Sequence, residues 1–266
     1  MPALPPNIAI DLNSDMGEGF GAYRMGDDEA ILDSVTSANV ACGFHGGDPE
    51  IMARTYTLAK AKGVTVGAHP GYPDLWGFGR RDMAFSLGEL ERLVAYQIGA
   101  ALAVSTYAGH PIRYVKCHGA LGQQTYHSAE IATAVCRAVK AVDPSLVMLS
   151  IARGQQDRIA AEMGLITKSE IYADRGYDET GFLVSRKLPG ALLKDPVQAA
   201  ERIVRMVREG AIETTSGAYL PARIESVCVH SDTPGAVEMA AQVRTLLEKA
   251  GLTPVSYTHL RAHETE

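Results

Sequence analysis

The sequence predicts an α/β protein built on a parallel sheet, closed into a barrel or left open and doubly wound. Three observations point there. Seven short apolar runs alternate with seven longer stretches of helical periodicity, and such alternation is what a parallel sheet requires. The runs are mostly continuous in apolar residues, as strands covered on both faces must be. The length, 266 residues, suits one α/β barrel domain, and no repeat or Ser/Gly linker divides it.

The elements follow in order. Ile8–Leu12 is the first strand, with a short helical stretch at Asp27–Asp33. Ser37–Ala41 is the second, followed by a helix over Pro49–Lys62. Asp48 caps that helix, and Pro49 sits in the first turn, where its missing N–H is no loss. Val64–Ala68 is the third strand, and Ser86 with Glu89 forms a capping-box pattern ahead of the helix Leu87–Tyr107. Tyr114–Lys116 and Leu146–Ile151 are the fourth and fifth strands, with helical patterns after them at Ala129–Val142 and Gln155–Met163. Ile166–Tyr172 precedes a helix over Pro196–Arg208, again opened by an Asp-Pro pair at Asp195. Ile224–Val229 precedes the last helix, Gly235–Ala250. Gly63, Gly109, Gly164, Gly210 and Gly251 each follow a helical run, where a left-handed residue ends a helix.

Composition narrows the function. The net charge is −6, and Lys and Arg are dispersed, so no basic patch marks a nucleic-acid partner. No apolar stretch reaches the 18 residues of a membrane span. Met1–Asn7 has no charged segment ahead of an apolar core, so no secretory signal is expected. The four cysteines (42, 117, 136 and 228) show no CxxC spacing and read as reduced thiols of a cytoplasmic protein. A GxxxxGK[ST] phosphate loop and a GxSxG nucleophile turn are both absent. Val255 to Thr265 read VSYTHLRAHET, which resembles a translated sequencing-library adapter. The domain is therefore expected over 1–254, with 255–266 a non-native tail, and His259 and His263 are set aside.

The polar residues fall at strand ends. Strand one runs into Asp11, Asn13, Asp15 and Glu18; strand two into Cys42, His45 and Asp48; strand three into His69. Strand four ends at Lys116 and His118, strand six at Asp174 and Arg175, strand seven at His230 and Asp232. In an α/β barrel these ends share the face that carries active sites. Asp48, Asp195 and Asp232 read equally well as helix caps. Asp11, Asn13 and Asp15 alternate along one strand, and such groups are costly to bury without a partner. The long loop Pro70–Phe85 holds the only Trp and the pair Arg80 and Arg81, suited to a phosphate or carboxylate unless neighbouring acids neutralise it.

The segments IDLNSDMGEGFG (10–21), SANVACGFHGGDP (37–49), GVTVGAHPGYPDLWGFGRRDM (63–83), VKCHGAL (115–121), YADRGYDETGFLVSR (172–186), PGALLKD (189–195) and SVCVHSDTPGAV (226–237) resemble the LamB/YcsF family. The resemblance spans nearly the whole chain up to Gly251. It implies a single-domain, deacetylase-like (β/α)7 barrel related to the TIM barrel. It implies the A subunit of a bacterial 5-oxoprolinase, which opens the lactam of 5-oxo-L-proline to L-glutamate as ATP goes to ADP and phosphate. ATP would be a co-substrate, carried with Mg2+, and separately encoded B and C subunits would be partners. The chain departs from the family pattern at Ser14, Gly46, Cys117, Ser231 and Gly122-Gln123, and a cut near Pro254 would remove a final strand.

For that chemistry the candidate catalytic residues are Asp11, Asn13, Asp15, His45, His69, Lys116 and His118. Glu18, Arg80, Arg81, Asp174, Arg175 and His230 are candidates for substrate or phosphate binding. A histidine supplies the general base, cations neutralise phosphoryl oxygens, and Asp11, Asp15 or Glu18 meets Mg2+. Two other readings stay open: a metal-dependent hydrolase with Asp15, His45 and His69 as ligands, and a non-catalytic partner subunit.

Overall fold

The computed structural model describes residues 8–185, 187–231 and 235–256; the tail 257–266 and Asp232 lie outside them. The chain runs β1 (Ile8–Met16), α1 (Asp28–Ile31), β2 (Ser37–Ala41), α2 (Pro49–Ala61), β3 (Thr65–His69), α3 (Leu87–Tyr107) and β4 (Tyr114–Lys116). It continues through α4 (Gly119–His127), α5 (Ala129–Val142), β5 (Val147–Ile151), α6 (Gln155–Glu162), β6 (Thr167–Tyr172) and α7 (Pro196–Glu209). An antiparallel hairpin follows, β7 (Ala211–Glu213) and β8 (Tyr219–Pro221). Then come β9 (Ser226–Cys228), α8 (Ala236–Lys249) and β10 (Leu252–Pro254).

Each of β1 to β5 pairs in parallel with the next strand, β6 pairs with β9, and β9 pairs with β1. Seven parallel strands therefore close into a barrel, and the open sheet is excluded. β10 lies beside the first residues of β1, with Ile8 opposite Leu252 and Ile10 opposite Pro254. This last strand, the hairpin and α4 are additions to the elements expected from the sequence. The capping signals hold. Asp48 and Asp195 each accept from two backbone N–H groups, and Ser86 and Glu89 cap reciprocally. The five helix-ending glycines all have positive φ. Among the described residues no helix is long and apolar enough to cross a membrane.

The strands are buried on both faces, but the two faces differ. One set of alternate residues faces the helices: Leu12, Val40, Val66, Val115, Met148, Ile171 and Val227 belong to the main apolar core. The other set faces the barrel axis and is mostly polar. Asp11, Asn13, Asn39, Tyr114, Lys116, Glu170 and Ser226 are all buried there, held by hydrogen bonds that cross the barrel. Barrel axes are usually filled with branched apolar side chains. Here the inward apolar contribution is a small separate cluster of Tyr114, Val147 and Leu149.

Gly67 makes room for that filling. A Cβ there would stand 2.4 Å from the Tyr114 ring, whose hydroxyl donates to Asn39 Oδ1 at 2.7 Å. Gly67→Ala is therefore expected to cost about 1–3 kcal/mol by overpacking. Denaturant unfolding would measure the loss, and adding Tyr114→Leu should return part of it. Strictly additive effects would exclude the clash as the cause.

Asp11 sits on the barrel floor. It accepts from Thr36 Oγ1 at 2.7 Å, from Ser37 Oγ at 2.6 Å and from Ser226 Oγ. Burial pushes its carboxyl up to about 6 against the three hydroxyls, and the Glu170 charge adds to the rise. A folded-state value above the unfolded one means that the native protein binds the extra proton. Its stabilising contribution is full below about pH 4 and is lost as pH rises through about 6, on the order of 3 kcal/mol. Wild type should lose that much relative to Asp11→Asn across this window, measured by unfolding at a series of pH values; a constant difference would refute the assignment.

Candidate active site

A cavity of about 680 Å3 opens at the C-terminal ends of the strands. Asp15, His69, Lys116, His118, Tyr172 and His230 line it from β1, β3, β4, β6 and the segments that follow. Arg80 and Arg175 line it from the loops. A second cavity, about 700 Å3, lies near the opposite strand ends beside Thr65, Arg113 and Val147. It contains none of the candidate residues.

Lys116 organises the inner wall. It is 2% exposed, and its ammonium lies 3.1 Å from Asp15 Oδ1, 3.0 Å from Glu170 Oε2 and 3.1 Å from both Asn13 Oδ1 and Cys228 Sγ. Burial alone would lower its pKa, but the Asp15 and Glu170 carboxylates outweigh that and hold it well above the ordinary lysine value. Asp15 is the counterpart. Burial raises its carboxyl, and the neighbouring His69 and Lys116 bring it well below the usual range. Burial likewise raises the Cys228 thiol, so it meets the ammonium uncharged.

Three histidines stand beside this pair. His69 Nδ1 is 2.8 Å from the Lys116 carbonyl, and His118 Nε2 is 2.8 Å from the Phe78 carbonyl. A carbonyl only accepts, so both contacts fix the ring proton at those nitrogens. Their other nitrogens, His69 Nε2 and His118 Nδ1, face each other at 3.1 Å with their rings nearly perpendicular. His45 is fully buried and stacks flat on His118, centroids 3.6 Å apart. Burial and the neighbouring His118 push His45 down to about 3, so it is neutral and donates Nε2–H to Glu18 Oε1 at 3.3 Å. Burial would raise Glu18, but His118 and His45 bring it to about 2.

The long loop is built against these rings. Gly79 passes so close that a Cβ would stand 2.7 Å from His45 Cβ and 2.8 Å from His118 Cδ2. Phe78, whose carbonyl receives His118, holds a left-handed φ of 54°, a costly conformation for a residue with a large side chain. Asp74 ties the loop to itself through Gly77 N–H and Arg81.

Most of the expected residues converge here. Asn13, Asp15, Glu18, His45, His69, Lys116 and His118 form one network, and Asp174 holds His230 Nδ1 at 2.8 Å. Burial raises Asp174, and His230 more than reverses it. Arg175 is buried and donates to the Val184 and Ala191 carbonyls. Asp11 joins only from below, through Ser226. Arg81 is absent from the cavity wall and is neutralised by Asp74, whereas Arg80 lies on the wall. Ser14 and Ser231, two departures from the family pattern, each donate to backbone carbonyls, and Gly122 and Gln123 line the cavity. Glu170, Asn39, Tyr172 and Cys228 were missed. For Glu170 and Tyr172 the signal was the period of two in Thr167–Tyr172, which puts Lys168, Glu170 and Tyr172 on one face.

Comparison with known proteins gives this geometry a family. The LamB/YcsF profile matches residues 10–262. The chain belongs to the LamB/YcsF family. A LamB/YcsF relative from Gluconobacter oxydans, named as the A subunit of 5-oxoprolinase, is 59% identical over 243 residues, 91% of this chain and 96% of its own. The protein of the same name from Azorhizobium caulinodans is 57% identical over 244 residues, 92% of this chain and 96% of its own. The crystal structure of the lactam utilization protein from Thermus thermophilus superposes with a TM-score of 0.89 at 43% identity, covering 94% of this chain and 100% of its own.

Proposed function

We propose that this LamB/YcsF chain is the A subunit of an ATP-dependent 5-oxoprolinase, opening the lactam of 5-oxo-L-proline to L-glutamate together with B and C subunits. The carrying observation is the cavity at the strand ends, where a buried lysine, two histidines of fixed tautomer and two arginines face one space. The names of the two oxoprolinase relatives and of the Thermus protein support the substrate class.

An unstrained lactam resists water at neutral pH. Phosphoryl transfer from ATP to the lactam oxygen makes that oxygen a leaving phosphate. Water then adds to the ring carbon, the ring C–N bond breaks with the nitrogen leaving protonated as the amine, and a second water displaces phosphate from the resulting acyl phosphate to give glutamate. ATP supplies the phosphoryl group, and Mg2+ enters with it. Of the carboxylates expected to meet that magnesium, Asp15 alone lines the cavity. Lys116, Arg80 and Arg175 provide the positive field for phosphoryl oxygens and for the substrate carboxylate. His69 and His118 present nitrogens that their carbonyl partners leave without a proton, as a general base requires. The Asp174–His230 pair is the second proton-handling group on this wall.

The test is phosphate and glutamate release by this chain mixed with the B and C subunits, with and without 5-oxo-L-proline. Release that needs both the lactam and this chain is expected. Lactam-independent release, beside a working control complex, would refute the reading.

A further inference from the structure

Four ligand-type atoms converge beside Lys116. His69 Nε2 lies 3.1 Å from His118 Nδ1 and 3.3 Å from Asp15 Oδ1. His118 Nδ1 lies 3.3 Å from Glu18 Oε1. The ring protons of both histidines are already committed to the Lys116 and Phe78 carbonyls. In neutral rings the two facing nitrogens therefore carry lone pairs, and the two oxygens belong to carboxylates. His45 gives its one proton to Glu18, and Lys116 divides its charge between Asp15 and Glu170. One cation placed among the four atoms, a shared proton or a metal ion, meets them all.

The spacing says what kind. A tetrahedral ion with bonds of about 2.0–2.1 Å separates its ligand atoms by about 3.3–3.4 Å, and the three separations here are 3.3, 3.1 and 3.3 Å. The His69 and His118 planes cross at 89°, so their in-plane lone pairs can meet at one point. The second contact of each ring, N–H to a backbone carbonyl, is the outer hydrogen bond that orients metal-ligating histidines. His45 differs. Lying parallel to His118 at 3.6 Å, it cannot aim a lone pair at an ion held in the plane of His118. Glu18, His45, His69 and His118 each offer an atom within 4.8 Å of the others. The ring geometry divides them into ligands and one positioning residue.

We propose that Glu18, His69 and His118, with Asp15 beside them, form a binding site for one divalent transition-metal ion of the zinc class, and that His45 orients Glu18 without ligating. Two imidazoles with carboxylates favour such an ion over magnesium or calcium, whose sites are built from oxygen. The site lies in the cavity wall, beneath the Phe78–Gly79 strap. The inference rests on the spacing and ring geometry of these side chains and shares its nitrogens with the oxoprolinase reading, so with the ion bound the general-base role falls to the Asp174–His230 pair.

The test is Co2+ and Zn2+ binding to the full chain after chelator treatment, read by metal content and by the visible absorption of Co2+. One equivalent with the strong absorption of a tetrahedral nitrogen–oxygen site is expected. His69→Gln and His118→Gln should each weaken binding by more than about 100-fold, and His45→Gln by about tenfold, the range of an outer-shell residue. Far-UV circular dichroism and thermal unfolding screen the variants, and Glu18→Gln replaces any that unfolds. A wild-type chain that takes up no ion in excess metal would overturn the proposal. So would binding that survives in His69→Gln and His118→Gln. A failed oxoprolinase assay leaves this readout untouched.

Discussion

Lys116→Met is expected to lower stability by about 3–5 kcal/mol and to remove lactam-dependent turnover. The stability loss follows from what the ammonium leaves behind. Asp15 and Glu170 both lie within 3.1 Å of it, and both are buried. Removing one member of a buried ionic network strands the others in a medium that solvates them poorly. Lys116→Arg should not rescue, because a planar fork cannot meet four acceptors grouped around a compact ammonium. Lys116→Met combined with Glu170→Gln should be more stable than Lys116→Met alone, since one stranded charge is gone. Urea unfolding of wild type, Lys116→Met, Glu170→Gln and the double variant measures the coupling. A loss under about 1 kcal/mol, the level of an exposed ion pair, would show that the network is solvated. The activity loss should reach about 10²–10³-fold even where the variant stays folded, because the charge that faces the cavity is gone.

That network explains which parts of the molecule were legible beforehand. Ser37–Ala41, Tyr114–Lys116, Leu87–Tyr107 and Ala129–Val142 appear at the bounds expected, because each carries its own local signal in apolar period, cap or following glycine. β1 extends to Met16, four residues past its expected end. Its polar alternation, Asp11, Asn13 and Asp15, read as one strand end running into a site, but the strand continues to Met16 and the alternation faces a polar barrel axis. Glu170 was hidden too, since an acid in the strand TKSEIY carries no local sign of the lysine that neutralises it from β4. α4 was missed because Gly119–His127 opens with His118 in the cap position and lacks a side-chain cap. β7 and β8 fall within Glu213–Arg223 and its flank, and three-residue strands carry little periodicity. Closure of the ring depends on β1 meeting β9, a pairing between residues more than 200 positions apart, which no local pattern encodes. The histidines were legible as strand-end residues, but their division of labour was not. It depends on ring planes and on the carbonyls of Phe78 and Lys116.

His118→Ala tests that division in the reaction. The chain should fold, because the main apolar core lies outside the barrel and His118 belongs to the cavity wall. Lactam-dependent phosphate release should fall about 10²–10⁴-fold, the range of a lost general base or acid. His69→Ala should fall as far, and the double variant hardly further. The two rings share one contact at 3.1 Å, and groups that act as a unit lose their effect at the first removal. His45→Phe makes the contrast. It keeps a flat ring over His118 and removes only the donation to Glu18 Oε1, so its loss should be about tenfold, the value of one hydrogen bond. Turnover measured with the B and C subunits present separates the cases. Equal losses for all three histidines would mean that the stack acts as one structural block. Multiplying losses for His69 and His118 would mean two independent groups, and the shared position between their nitrogens would then have no role in the chemistry.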